Sequence, residues 1–138
     1  MSYRDKKPYK GLLIDTVAKE IREVEVTNLA SMYKHIGCEI VEAVYLNKQR
    51  DSVFVDEEGL IHGLPPRHFF YIKGTHQPLA GNGLVLGCTP SGNSVAPKAI
   101  TKEWLEANVA YVERLPMGVL AVEAPLEMAE TVHGFFRG

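Results

Sequence analysis

Residues 78–89 constrain the fold of this chain more than any other segment (Pro-Leu-Ala-Gly-Asn-Gly-Leu-Val-Leu-Gly-Cys-Thr). Gly81 and Gly83 give their loop backbone freedom, because glycine adopts positive φ angles that other residues rarely adopt. The apolar run of residues 84–86 follows directly and predicts a short strand buried in the core. The segment therefore predicts a constrained loop that leads into a central strand of a sheet.

The composition is that of one globular domain, with 138 residues, 46% of them hydrophobic and 23% charged. A chain of this length buries a core without cross-links. The formal net charge of -2 argues against general nucleic-acid binding, which needs a basic excess. No apolar run approaches the roughly 20 residues of a membrane span, and the N-terminus lacks the apolar core of a secretory signal. We therefore expect a cytoplasmic protein that does not enter a membrane.

Hydrophobic periodicity predicts runs of strands interrupted by short helices. The clearest helix begins after a cap at Thr27 or Asn28, carries apolar residues at i, i+3, i+4 and i+7, and ends at Gly37. A second helix is expected after a cap at Thr101, with Trp104 and Leu105 on its buried side. Strands are predicted over residues 11–15, 21–26, 39–46, 52–55, 68–72, 84–86, 109–112 and 119–122, and a last helix over residues 126–132.

This order predicts an α+β fold in a single domain, with a mixed or mainly antiparallel sheet and two or three short helices. We divide the chain into a flexible N-terminal arm over residues 1–10, a core domain over residues 11–115, and a C-terminal extension over residues 116–138. Because Phe135 and Phe136 are adjacent aromatics near the end of the chain, we expect the extension to pack on the core or on a partner subunit.

The glycine spacing of the central segment superficially resembles a dinucleotide fingerprint, but the order of elements is wrong. Such loops follow a strand and open a helix, whereas these glycines precede a strand. Gly81, Asn82 and Gly83 can instead present successive N–H groups as an anion-binding nest. A hairpin or bulge loop that needs positive φ explains the same glycines without a ligand, and both interpretations stay open.

No metal, cofactor or catalytic residue is predicted. The five histidines lack the spacing that places two metal ligands on one face of a helix or strand. These histidines are His35, His62, His68, His76 and His133. Cys38 and Cys88 form no Cys-x-x-Cys motif and are interpreted as small buried residues, with a disulfide left open.

The most promising binding region runs from Arg67 to Gly87. Residues 67–71 (Arg-His-Phe-Phe-Tyr) place a guanidinium beside aromatic rings, a combination that can stack on a base. Along a strand, Phe69 and Tyr71 lie on one face, and His68 and Phe70 lie on the other. At least one of these two pairs is therefore expected in the core. The predicted ligand-binding residues are Arg67, His68, Phe70, Lys73, His76, Gly81, Asn82 and Gly83.

Four segments in one order carry a resemblance to a known family: residues 12–15, 33–38, 53–59 and 78–87, with Asp-Glu-Glu-Gly and Ala-Gly-Asn-Gly as the most specific parts. Over residues 11–112 the chain resembles a family of small phage- and plasmid-borne proteins of unknown function. The resemblance implies an accessory protein that a phage expresses in the host bacterial cytoplasm. It supplies no catalytic residues.

We therefore expect a non-catalytic, homo-oligomeric protein that binds and sequesters a small nucleotide-like signal of host immunity. The lack of enzyme motifs, the mixed cationic, aromatic and glycine region, and the phage context motivate this hypothesis. One alternative is a protein-binding inhibitor of a host enzyme, anchored by Phe135 and Phe136. A further alternative is a small hydrolase of a signalling nucleotide.

Overall fold

A computed structural model of the chain describes residues 7–37, 41–56 and 67–125, together with residue 128. Within these ranges the chain forms ten strands and two α-helices. Their bounds are β1 Tyr9–Asp15, β2 Glu20–Val26, α1 Leu29–Ile36, β3 Val41–Tyr45, β4 Ser52–Asp56, β5 His68–Ile72, β6 Leu79–Ala80, β7 Gly83–Cys88, β8 Ser94–Val95, α2 Lys102–Asn108, β9 Val109–Arg114 and β10 Leu120–Glu123, with a 3-10 turn at Pro116–Gly118.

The strands form two antiparallel sheets. The first sheet has the order β2-β1-β7-β4-β3, with β8 beside β7, and the second has the order β10-β9-β5-β6. Every strand pair in the described part of the chain is antiparallel. The fold is thus one small α+β domain that is mostly β, which confirms the predicted class in its broad form. The central position of β7 in the first sheet confirms the prediction that residues 84–86 form a central strand.

The two sheets pack face to face around the main core. Leu12, Ile14 and Val85 project from the first sheet, and Phe70 and Ile72 project from the second. Helix α1 covers the opposite face of the first sheet through Met32 and Ile36. Met128 contacts the outer face of the second sheet, on the side of Phe69 and Tyr71. Both faces of β5 are therefore buried, because its aromatic residues alternate between the main core and this outer cluster.

The helix caps form as the sequence predicts. Asn28 accepts a hydrogen bond from the Ser31 amide at the start of α1, and Gly37 ends the helix at φ +83°. Thr101 accepts from the Trp104 amide at the start of α2. Leu105 is fully buried, but Trp104 is 37% exposed. The predicted burial of Trp104 is therefore wrong, since a seven-residue helix turns only a narrow stripe to the core.

The predicted constrained loop is the crossing between the two sheets. Residues 81 and 82 connect β6 in the second sheet to β7 in the first. Gly81 has φ +78°, as expected, but Gly83 does not have positive φ. Gly83 is required for a different reason, because a Cβ there would lie 2.5 Å from Phe70 Cζ and 2.8 Å from Val53 Cγ2.

A buried carboxylate holds the connection that leads into α2. Asp51 is 0% exposed, and it accepts hydrogen bonds from the amides of Lys98 and Ala99 at 2.7 Å and of Ile100 at 2.9 Å, as well as from Asn47 Nδ2 at 3.1 Å. Burial raises the pKa of Asp51, but these hydrogen bonds outweigh it and hold the pKa below its ordinary value.

Several sequence-based predictions concern residues outside the described ranges. These are the helix over residues 126–132 apart from Met128, the tail at Phe135 and Phe136, Cys38, His62, His133 and the acidic residues 57 and 58. Residues 1–6 of the predicted arm also lie outside them, while β1 begins at Tyr9, inside the segment predicted as the arm.

Asp51→Asn should lower the free energy of unfolding by about 2–3 kcal/mol at neutral pH, because an amide accepts less strongly than a carboxylate and turns an NH₂ group toward other donors. The contribution of the carboxylate is present above its unfolded pKa of about 3.9 and is lost as the pH falls through the lower folded pKa. Urea denaturation at about pH 7 and about pH 3 should show the difference between wild type and variant narrowing in acid.

Asp15→Asn is the matched control. Asp15 also accepts from two backbone amides, those of Val17 and Ala18, and from Arg22 Nη1 at 2.7 Å, but these bonds lie at the solvent-accessible β1–β2 turn. We expect a loss of no more than about 1 kcal/mol there. Equal losses at Asp15 and Asp51 would contradict a special role for the buried carboxylate.

Gly83→Ala should lower the free energy of unfolding by about 1–3 kcal/mol, because the added methyl overpacks the contact between the sheets. A double-mutant cycle with Phe70→Leu tests this cause, since leucine lacks the Cζ atom nearest to the added methyl. We expect a favourable coupling of about 0.5–1 kcal/mol in urea denaturation. Additive losses would contradict a steric conflict with Phe70.

Candidate functional site

A cleft of about 340 Å³ opens where the β6–β7 crossing meets the β1–β2 turn, the end of α1 and the start of β5. One part of its wall is apolar, formed by Val17, Ile36 and Ala80. The remainder carries polar groups on several elements. The described lining residues are Thr16, Val17, Ile36, Gly37, Asp56, Arg67, His68, Ala80, Gly81 and Asn82.

Asn82 joins the sheet crossing to the β1–β2 turn. Its Oδ1 accepts from both the backbone N–H and the hydroxyl of Thr16, each at 3.0 Å. Because a backbone N–H can only donate, the amide oxygen must face Thr16. The NH₂ group of Asn82 has no partner among the described residues, so it is available to donate to a ligand.

Arg67 brings positive charge to the cleft. Its Nη2 atom lies 4.0 Å from the Glu113 carboxylate, which also lies 3.9 Å from Lys19 Nζ. Pairs at this distance and exposure are weak, and the Arg67 side chain is 60% exposed. The Arg67 guanidinium therefore keeps N–H donors for an incoming anion.

His68 is the first residue of β5 and lies beside Arg67 at the cleft. Its Nδ1 atom is buried and has no hydrogen-bond partner among the described residues. Its carbonyl accepts from the Gly81 amide at 2.9 Å. That N–H is therefore used within the fold, and the predicted anion-binding nest loses its first donor.

The other predicted binding residues lie elsewhere. Phe70 is 0% exposed and fills the main core, and Gly83 is buried beneath it. Lys73 and His76 follow β5 at its opposite end, and five strand residues at roughly 3.3 Å each separate them from Arg67. The structure thus brings together four of the eight predicted residues: Arg67, His68, Gly81 and Asn82.

Sequence reasoning missed Thr16, Val17 and Asp56. The Thr16–Asn82 contact spans 66 residues, and no local pattern marks a threonine in a turn as a partner of a distant asparagine. Asp56 ends β4, and the sequence marked it only as part of the Asp-Glu-Glu-Gly segment of the family resemblance. These residues reach the cleft through sheet pairing alone.

The described lining residues of the cleft offer N–H donors, the Asp56 carboxylate and an apolar surface. Among its described lining residues there is no cysteine or serine, and the Thr16 hydroxyl donates to Asn82. In residues 7–37, 41–56 and 67–125, no three His, Cys, Asp or Glu side chains come close enough to hold a metal ion. No helix in the described part of the chain is long and apolar enough to cross a membrane.

A larger cleft of about 490 Å³ lies between β1, β2 and the connection into α2. It contains none of the predicted binding residues. Lys10 and Glu23 pair across β1 and β2 at 3.8 Å, so opposite charges on this surface face each other. We therefore take the cleft at Arg67, His68 and Asn82 as the candidate site.

The chain belongs to a family described as "Domain of unknown function (DUF3846)", whose profile matches residues 9–107. This confirms the resemblance to a family of unknown function. Searches of the curated proteins and of the solved structures gave no significant match. All ten described lining residues of the cleft fall inside the matched range.

Asn82→Ala should lower the free energy of unfolding by about 1–3 kcal/mol, because the buried N–H and hydroxyl of Thr16 would lose their acceptor. Asn82→Asp keeps an acceptor in the same place, so its stability should lie within about 1 kcal/mol of wild type. Urea denaturation at neutral pH measures both. Equal losses in the two variants would contradict the role of Oδ1.

Proposed function

We propose that the protein binds a small, anionic, nucleotide-like ligand in this cleft and retains it unchanged. One observation carries the proposal: Arg67, His68 and Asn82 bring N–H donors to a cleft whose wall is partly apolar, and Asp56 and Thr16 are its other described polar side chains. Donors and positive charge suit a phosphate group, whereas the surface of Val17, Ile36 and Ala80 suits the face of a base. A nucleotide combines both parts.

The size of the cleft favours one nucleotide. Small-molecule sites span about 300–1,000 Å³, and this cleft, at about 340 Å³, lies near the lower end. The ligand we propose is therefore a mononucleotide, or one nucleotide unit of a larger signal.

The proposed biological role is capture. In the setting that the family resemblance implies, the protein is a phage accessory protein that sequesters a nucleotide signal of host immunity in the bacterial cytoplasm. Capture is favoured over hydrolysis because hydrolysis needs a positioned nucleophile, general base or metal. The one hydroxyl among the described lining residues, that of Thr16, already donates to Asn82.

Inhibition of a host protein is a second candidate, supported by the tip of the β9–β10 hairpin. Met117 is 98% exposed and adopts φ +68°, and Val119 is also exposed. Methionine at positive φ is strained by about 1–2 kcal/mol. Methionine has a flexible apolar side chain, and at this exposed hairpin tip it is suited to contact a partner protein.

Capture is tested by incubating the protein with linear and cyclic bacterial mono- and dinucleotides, removing free ligand, and identifying what heat denaturation releases. We expect an intact nucleotide from wild type. Arg67→Gln should reduce affinity about tenfold to a hundredfold, because a charge-assisted hydrogen bond contributes about 1.5–3 kcal/mol.

Lys73→Gln removes the same charge at the far end of β5 and should leave affinity unchanged. Release of an altered nucleotide would favour the hydrolase. Retention of no nucleotide would contradict capture and leave protein binding as the better candidate. Equal losses from Arg67→Gln and Lys73→Gln would contradict this location of the site.

A further inference from the structure

We propose that His68 determines which ligands the cleft accepts, by holding its proton on Nε2 and donating from there to a phosphate oxygen. This inference rests on the proposed function, because it assigns a role within the same cleft. It adds the ligand class: a phosphate monoester is bound and the corresponding nucleoside is rejected.

The surroundings of His68 Nδ1 indicate which ring nitrogen carries the proton. Nδ1 is buried and has no hydrogen-bond partner among the described residues, and His68 lines the cleft. A neutral imidazole carries one N–H and one lone pair. Buried N–H groups without a partner are rarer in proteins than buried acceptors without one. The lone pair therefore belongs on Nδ1 and the proton on Nε2.

The backbone holds the ring in this place. His68 lies opposite Glu113 in the β5–β9 register, and its carbonyl accepts from the Gly81 amide. At His68, β5 is thus paired with β9 on one side and with the Gly81 amide on the other. Since Glu113 lies near Lys19 and Arg67, its carboxylate is already shared between two cations.

Three of the described polar side chains in the cleft are donors, and Asp56 adds one carboxylate. Arg67, His68 through Nε2 and Asn82 through its NH₂ group all offer N–H groups to an acceptor. A phosphate monoester has several oxygen acceptors and negative charge, so it matches this set. A nucleoside offers hydroxyls and base edges in the same place, but it brings no negative charge to Arg67, whose pair with Glu113 at 4.0 Å is weak.

Two substitutions separate the two ring nitrogens. The amide nitrogen of glutamine reaches the position of Nε2, whereas the shorter asparagine places its amide near Nδ1. Isothermal titration of the full chain with AMP, and with adenosine as the phosphate-free comparison, measures the result. We expect wild type to prefer AMP, His68→Gln to stay within about threefold of wild type, and His68→Asn to lose about tenfold or more in AMP affinity.

The same substitutions at exposed His76 are the matched control and should change nothing. If wild type binds AMP but His68→Gln and His68→Asn bind it equally well, the role of His68 is overturned and the proposed function stands. If wild type does not bind AMP or any other nucleotide, the proposed function itself fails, and the donor role fails with it.

Nitrogen NMR of the imidazole rings tests the proton position without a ligand. In the full chain we expect His68 to show an unprotonated Nδ1 and a protonated Nε2 near neutral pH, and AMP should shift the Nε2 resonance most. A protonated Nδ1 in the neutral ring would overturn the inference even if AMP binds. Circular dichroism of each variant confirms that the fold is retained before affinities are compared.

Discussion

The close approach of the two sheets at Gly83 is the constraint on which the rest of the structure depends. The chain passes from one sheet to the other within two residues, so β6 and β7 belong to different sheets although they are adjacent in sequence. Phe70 then packs directly over Gly83, where a side chain has no room. This contact brings the inner faces of both sheets together, and it places Asn82 within reach of Thr16.

Asp51 performs a comparable function for the connection into α2. Three consecutive backbone amides, at residues 98–100, donate to a single buried carboxylate. Gly87 lies beside it, where a Cβ would come within 2.5 Å of the Ala96 carbonyl oxygen. The connection therefore lies tightly against the first sheet, and Leu105 of α2 is directed into the core. A buried charge is acceptable here because three backbone amides and the side-chain amide of Asn47 donate to it.

The candidate site lies at the end of the molecule where this packing stops. The β1–β2 turn, helix α1 and β6 supply its apolar residues Val17, Ile36 and Ala80, and residues at or just beyond the ends of strands supply its polar groups. Such a position combines rigid support with access for a ligand. Within the described lining of the site, the Thr16 hydroxyl donates to Asn82 Oδ1.

The sequence by itself determined the local structure: the caps at Asn28 and Thr101, the stop at Gly37, and most strands. Hydrophobic periodicity and helix caps involve residues that are close in sequence, so both can be recognised from the sequence alone. It also indicated the region that contains Arg67, His68 and Asn82. Only the tertiary structure decided that Phe70 is core, that Lys73 lies at the far end of β5, and that Thr16 joins the cleft. Strand order and sheet crossing are set by packing between distant residues, and no local pattern encodes which distant residues will meet.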